Sequence, residues 1–302
     1  MEKTVPGEFL MNNNIFENSK LSHSCLLKFQ IVYSNLKLAE RKAANFALTH
    51  PDKIRDLTIN EVAEMADCSC ATFVRLSKRL GYSGYSELRT KIMMDENDNL
   101  PQYFDVSPDD SQETIVTNIF NSCIIYLEDS LQAVDYSQVS RAVNVLVHAN
   151  KILFSAIGDA YFIAASSAQK FMRLGVTVNS STDFDSQLIM LANMDENDVV
   201  VCVSHSGRTK TVCDLARIAR EQNRKIIAIT NFPVSPLAKL SDIVLLTATF
   251  AYDIMDEVLA KRIPAQCLLD ALFACTMMEK QKTNGFNRLR KKTNALLLNN
   301  KL

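Results

Sequence analysis

The sequence has no tryptophan, and only seven glycines and seven prolines among its 302 residues. That scarcity excludes a collagen-like repeat and a Pro/Gly-rich disordered chain. An excess of one charge sign is missing too. Lys plus Arg number 33 and Asp plus Glu 34, a formal net charge of −1. The whole-chain balance therefore argues neither for nor against nucleic acid; only local asymmetry can. The apolar runs, such as Val199-Val200-Val201-Cys202-Val203, fall far short of the ~18 residues of a membrane span, so no membrane partner is expected. Residues 1–24 have Lys3 but no continuous apolar core and no small-residue cleavage site, so no secretory leader is expected. No internal repeat is present.

Cysteine is not scarce. Cys25, Cys68, Cys70, Cys123, Cys202, Cys213, Cys267 and Cys275 are scattered, several of them inside apolar runs. They read as reduced, buried thiols of a cytoplasmic protein rather than a disulfide framework. A hydrophobic fraction of 47% and a charged fraction of 22% are ordinary for soluble globular chains. The length favours two domains.

The pattern along the chain divides it further. Residues 1–25 are polar and mixed, a loose extension. The stretch 26–93 reads as all helix, with Ala43, Ala44, Ala47 and Leu48 at helical spacing. Thr58 followed by Glu61 has capping-box spacing. Residues 94–111 are acidic and turn-rich, the composition of a linker. Over 112–280 two helical segments, 113–134 and 136–148, precede alternating elements. Apolar β-rich runs at 151–157, 176–179, 198–204, 225–230 and 243–246 are separated by helical patterns. Continuous apolar strands alternating with helices predict a doubly wound parallel sheet covered on both faces, behind an all-α N-terminal domain. Residues 281–302 form a basic tail with Lys282, Arg288, Arg290, Lys291, Lys292 and Lys301 and no acid.

Residues 59–80 carry helix-turn-helix spacing. Ile59, Val62, Ala63 and Ala66 face inward on a first helix, and Val74, Leu76 and Leu80 on a second, which Ser69 caps. The outer face of the second helix carries Cys70, Ala71, Thr72, Arg75, Lys78 and Arg79. In such a motif this helix enters the major groove. Thr72 and Arg75 are placed for base edges, Lys78 and Arg79 for phosphates. Residues 1–100 are neutral, but 69–94 are locally basic, with Arg75, Lys78, Arg79, Arg89 and Lys91 against Glu87 alone. By spacing alone, a plain helical bundle with a solvated basic face fits equally well. The run Leu38-Ala39-Glu40-Arg41-Lys42-Ala43-Ala44, the pair Val62-Ala63 with Ala71 to Leu76, and above all Lys78 to Leu88 resemble the N-terminal domain of RpiR-type bacterial transcriptional regulators. The resemblance implies contacts to double-stranded operator DNA from Ser69, Thr72, Arg75, Lys78, Arg79, Tyr82, Ser83 and Tyr85.

A second constellation follows the run 199–203: Ser204-His205-Ser206-Gly207-Arg208-Thr209, then a helix. Hydroxyls and a glycine at a helix N-terminus after a strand form an anion cradle. A simple helix cap would look the same. The other strand ends, Gly158-Asp159-Ala160 and Asn231 with Ser235-Pro236-Leu237-Ala238, make the region resemble a sugar isomerase (SIS) domain. That resemblance implies a phosphorylated sugar held by Ser204, Ser206, Gly207 and Thr209, with Gly158, Asp159 and Glu257 around it, and a homodimer or homotetramer. One departure stands out. Where the family's first loop has glycines and then a serine, this chain has Ala156 and Ala160, and Asp159 would repel a phosphate unless it binds a sugar hydroxyl instead.

Other groups weigh less. His205 or Glu257 would suit an isomerase base, yet a loop histidine and a helix-entry carboxylate look alike in sequence; with a DNA-binding domain attached, no catalytic residue is expected. Cys68-x-Cys70 lacks the spacing and the four ligands of a zinc site, and neither metal nor cofactor is expected. The reading is a regulator of sugar-metabolism genes gated by a phosphosugar. A regulator with a vestigial pocket and a sugar-phosphate isomerase are the alternatives.

Overall fold

A computed structural model describes residues 23–33, 36–94, 109–249, 262–282 and 286–298. It divides into two compact units, the first ending at Ile125 and the second beginning at Tyr126. Among the described residues, no helix is long and apolar enough to cross a membrane.

The first unit is helical. Helices α1 (His23–Tyr33), α2 (Leu38–Thr49), α3 (Pro51–Asp56), α4 (Ile59–Met65), α5 (Cys70–Arg79) and α6 (Tyr85–Met94) are followed by α7 (Gln112–Ala133). Pro51 occupies the first turn of α3, where a missing N–H costs nothing. Thr58 caps α4 as the spacing predicts: its backbone N–H donates to Glu61 Oε2 at 2.8 Å and its hydroxyl accepts from the Glu61 N–H. The turn between α4 and α5 is a Schellman motif. Cys68 N–H donates to the Ala63 carbonyl and Asp67 N–H to that of Glu64. The left-handed position is filled by Asp67 at φ +50° rather than by glycine, and its carboxylate pairs with Lys42. Helix α5 ends in the same way, with Gly81 at φ +85° and Tyr82 N–H on the Ser77 carbonyl. Phe73, Leu76 and Leu80 of α5 are buried with Ala43, Ala47, Leu48, Ile54, Val62 and Leu88. The buried face of α5 is thus Thr72, Phe73, Leu76 and Ser77, with Leu80 at its C-cap, while Val74, expected inward, is only half-buried.

The second unit opens with the end of α7 and α8 (Tyr136–His148). It continues as β1 (Lys151–Ser155), α9 (Asp159–Phe171), a 3₁₀ turn (Met172–Leu174), β2 (Thr177–Ser180), α10 (Phe184–Ala192), β3 (Val199–Val203), α11 (Lys210–Glu221), β4 (Lys225–Thr230), α12 (Pro236–Leu240), β5 (Ile243–Leu246), α13 (Arg262–Gln281) and α14 (Phe286–Leu298). The five strands are all parallel, in the order β2-β1-β3-β4-β5. Alternate strand residues enter opposite cores. Ile152, Phe154, Val199, Val201, Val203, Ile227 and Ile229 pack under α8, α9 and α13. Leu153, Val200, Cys202, Ile226 and Ala228 pack under α10, α11 and α12. Burial on both faces is why the strands read as continuous apolar runs. It also holds the Cys202 thiol far above its usual range.

One expectation fails in this unit. Residues 281–302 read as a basic tail, but 286–298 form a helix whose Phe286 is buried in the core under α13. A single anchoring aromatic in a polar segment leaves little periodicity to read.

Candidate functional site

The exposed side of α5 is held by short-range bonds. Ser69 caps the helix by accepting from the Thr72 N–H at 3.3 Å, and its hydroxyl also meets Thr72 Oγ1 at 2.9 Å. Arg75 Nη2 donates to Thr72 Oγ1 at 3.2 Å. Thr72, expected at a base edge, is only 2% exposed. It fixes the Arg75 guanidinium from beneath instead. Arg75 and Lys78 are exposed, and Lys78 forms no ion pair among the described residues. Arg79, expected at a phosphate, pairs through Nε with Glu40 Oε1 at 3.2 Å. Glu40 is buried, and its other oxygen accepts from the Lys37 N–H at the start of α2. Arg79 therefore ties α5 to α2.

The aromatic run after α5 also departs from expectation. Tyr82 and Tyr85 are both buried. Tyr82 is the apolar residue that closes the C-terminal Schellman motif, and Lys28 Nζ lies 4.0 Å over its ring. Tyr85 packs edge-on to Phe73, with centroids 5.8 Å apart, and its hydroxyl reaches the Ile54 carbonyl. Burial pushes the Tyr85 phenol up. Both rings belong to the core. Ser83 is exposed, and its N–H donates to Glu87 Oε2 at 2.7 Å. Cys68 and Cys70 are free thiols, and Cys70 Sγ lies 3.0 Å from Asn60 Oδ1.

In the second unit, the order β2-β1-β3 places α9, which follows β1, on one face of the sheet and α11, which follows β3, on the other. This is a topological switch point, and ligands of open parallel sheets lie at such places, here the carboxyl ends of β1 and β3. Register puts Ser155 beside Cys202, so the loops 156–158 and 204–209 run out of neighbouring strands. Three other helices of the unit are capped by side chains: α8 by Asp135, α10 by Asp183 and α12 by Ser235. The two at the switch point are not. Gly158 begins α9 and Thr209 begins α11 without a side-chain cap. Their first-turn N–H groups are what an anion would satisfy.

The 204–209 loop is rigidly built. Ser204 is buried; its N–H donates to the Ile229 carbonyl, and its hydroxyl meets Thr209 Oγ1 at 2.9 Å. Ser204 thus orients Thr209 from below, and the half-buried Ser206 and Thr209 are the hydroxyls nearer solvent. Ser206 Oγ accepts from the Arg208 N–H. The His205 carbonyl accepts from Asn231 N–H at 2.9 Å and from Thr230 Oγ1 at 3.0 Å. Its ring is 3.4 Å from Thr249 Oγ1 and edge-on to Phe232. Gly207 has φ +61°, and a Cβ there would lie 2.2 Å from Ser235 Oγ. Only glycine fits, for reasons of both backbone and space.

Sequence reasoning missed the partners that shape this loop. Asn231 is fully buried and clamps Thr249 by two 2.8 Å bonds. Asp159 Oδ1 faces Arg262 Nη1 at 3.4 Å. No sequence signal joins residues so far apart. Glu257 lies outside the described residues. No group of three or more His, Cys, Asp or Glu residues among those described could hold a metal.

The helix-turn-helix domain of the rpiR family matches residues 23–97, and the SIS domain matches residues 145–274. The HTH-type transcriptional regulator HexR of Escherichia coli is 33% identical over 71% of this chain and 74% of its own length. The HTH-type transcriptional regulator YbbH of Bacillus subtilis is 28% identical over 84% of this chain and 90% of its own. The Vibrio vulnificus NanR protein, solved in complex with ManNAc-6P, superposes with a TM-score of 0.59 at 22% identity, over 91% of this chain and 99% of that one. The chain belongs to the RpiR family of helix-turn-helix transcriptional regulators, with a SIS domain behind the DNA-binding unit.

Proposed function

We propose that this protein binds operator DNA through α5 and that a phosphorylated sugar at the β1/β3 crevice changes that binding. The observation that carries the reading is the pair of uncapped helix starts, at Gly158 and Thr209, flanking a hydroxyl-bearing loop. A dianionic phosphate satisfies such N–H groups, and the hydroxyls of Ser206 and Thr209 add donors. On the DNA side, Arg75 is the base reader, Lys78 a phosphate contact, and Ser69 and Ser83 sit at the edge of the same face. The NanR relative, solved with ManNAc-6P, supports the ligand class.

A coupling of ~1–3 kcal/mol between the two sites would change operator affinity by roughly 5- to 150-fold. Reading two half-sites needs two copies. Val116, Phe120 and Ile124, exposed at four-residue spacing on α7, support a homodimer or homotetramer. Regulation, not catalysis, is the activity proposed.

The test is fluorescence anisotropy on a labelled fragment from upstream of the protein's own gene, at fixed salt, against scrambled DNA, with and without sugar phosphates. Specific binding that a phosphosugar shifts, with the shift lost in Ser206→Ala, is the expected result. A second reading, a crevice serving assembly alone, is favoured by Ala160, which supplies no hydroxyl where the family has one. Specific binding that no sugar phosphate shifts would select it. No preference over scrambled DNA would sink both.

A further inference from the structure

A continuous line of buried hydrogen bonds joins the 204–209 loop to α7. The His205 carbonyl, in the loop itself, accepts from Asn231 N–H at 2.9 Å. The Asn231 amide then takes both backbone groups of Thr249. Its Oδ1 accepts from the Thr249 N–H and its Nδ2 donates to the Thr249 carbonyl, each at 2.8 Å. The preceding residue, Ala248, is held in the same manner by α7. Ser130 Oγ accepts from the Ala248 N–H at 2.9 Å and donates to the Ala248 carbonyl at 3.3 Å. Asn231, Ala248, Thr249 and Ser130 are all buried. The His205 ring makes a second, direct approach to Thr249, at 3.4 Å from its Oγ1. At the far end of this line, the boundary between the two units falls inside α7, between Ile125 and Tyr126, about one helical turn before Ser130.

We propose that Asn231 and Ser130 are positioning residues that carry occupancy of the 204–209 loop into α7, the helix that runs on into the DNA-binding unit. The proposal rests on the phosphosugar reading of that loop and names how the site regulates. A phosphate at the first-turn N–H groups of α11 draws on the loop backbone. The His205 carbonyl cannot follow alone, because a buried polar group that loses its partner is costly. Asn231 moves with it, and residues 248–249 with Asn231. At α7 the choice of side chain matters. An apolar contact is non-directional. A hydroxyl bonded to both backbone groups of one residue fixes α7 along and around its axis. Packed elements have discrete arrangements, so a small shift at one end is passed on rather than absorbed.

The test is hydrogen–deuterium exchange on the full-length protein, read by mass spectrometry, with inorganic phosphate and glucose 6-phosphate as probes. In the wild type, a probe that slows exchange over 204–212 should also slow it several-fold over 124–133 of α7. Helix α8, which makes no hydrogen bond to 248–249 among the described residues, should change less. Ser130→Ala should keep the slowing over 204–212 and lose it over 124–133. Ser130→Cys, nearly the same shape but a weak hydrogen-bonding group, carries the same expectation should the alanine variant fold poorly. Equal slowing of α7 and α8 would be general stabilisation by binding and would overturn the relay. An α7 response that is absent in the wild type, or that survives in both variants, would overturn it too; each of these results leaves the phosphosugar reading standing. No slowing over 204–212 with either probe would overturn that reading and this proposal with it.

Discussion

At the residue scale, two positions concentrate the chemistry. Arg75 is exposed, and it is aimed by a relay in which Ser69 meets Thr72 and Thr72 accepts from Arg75. A guanidinium held this way gives up less freedom on meeting a guanine edge. Arg75→Ala should cost ~1–3 kcal/mol of discrimination between operator and scrambled DNA, read by competition anisotropy; an unchanged ratio would remove Arg75 as the base reader. Gly207 is the other. A side chain there meets Ser235 and Thr230 and forces a left-handed residue. Gly207→Ala should lower stability by about 2–4 kcal/mol and abolish any ligand response, seen as a melting point lower by several degrees.

At the scale of elements, the helix ends decide what each helix can do. Helix α4 is fixed by a full capping box, and hydrogen bonds from Thr58 hold the Glu61 carboxyl below its usual range. Because the folded value is depressed, this contribution is full above the ordinary glutamate range and is lost as pH falls through the folded value. Thr58→Ala should destabilise the protein by about 1 kcal/mol at neutral pH. Urea unfolding should find the difference shrinking toward pH 3. Helix α5 is fixed at its far end by Arg79 on the buried Glu40, while α9 and α11 start without caps. In the second unit, α8, α10 and α12 are capped by side chains where α9 and α11 are not.

At the scale of the whole molecule, the proposed reading of two operator half-sites calls for a second copy beside the modest basic face. Val116, Phe120 and Ile124 are apolar and exposed on one side of α7, a pattern that favours burial against another chain. Phe120→Glu should shift sedimentation toward monomer and weaken operator binding at low protein concentration. Dimers that persist in this variant would place the contact elsewhere.

How much of this was legible before the fold was known depends on the range of the interaction. The five strands and the helices between them follow from apolar runs and their spacing, since both periodicity and burial on two faces are written locally. The Thr58 and Ser69 caps and the glycine of the cradle are local as well. The misreadings share a cause. Thr72, Tyr82 and Tyr85 lie at positions where a polar or amphipathic side chain suits either solvent or the core. Tertiary packing turns them inward, Tyr85 against Phe73 and Ile54 and Tyr82 beneath Lys28. The Asp159–Arg262 pair and the Asn231 clamp on Thr249 are likewise invisible along the chain. The amino-acid sequence by itself determined the element order and the strand-loop-helix at 199–221, because turns, caps and periodicity act over a few residues; the division of the chain into units falls within α7 rather than in the acidic stretch 94–111. Tertiary structure alone decided which polar groups face solvent and which pair across the fold, as Arg79 does with Glu40 and Asn231 with Thr249, because those depend on contacts between segments far apart in the chain.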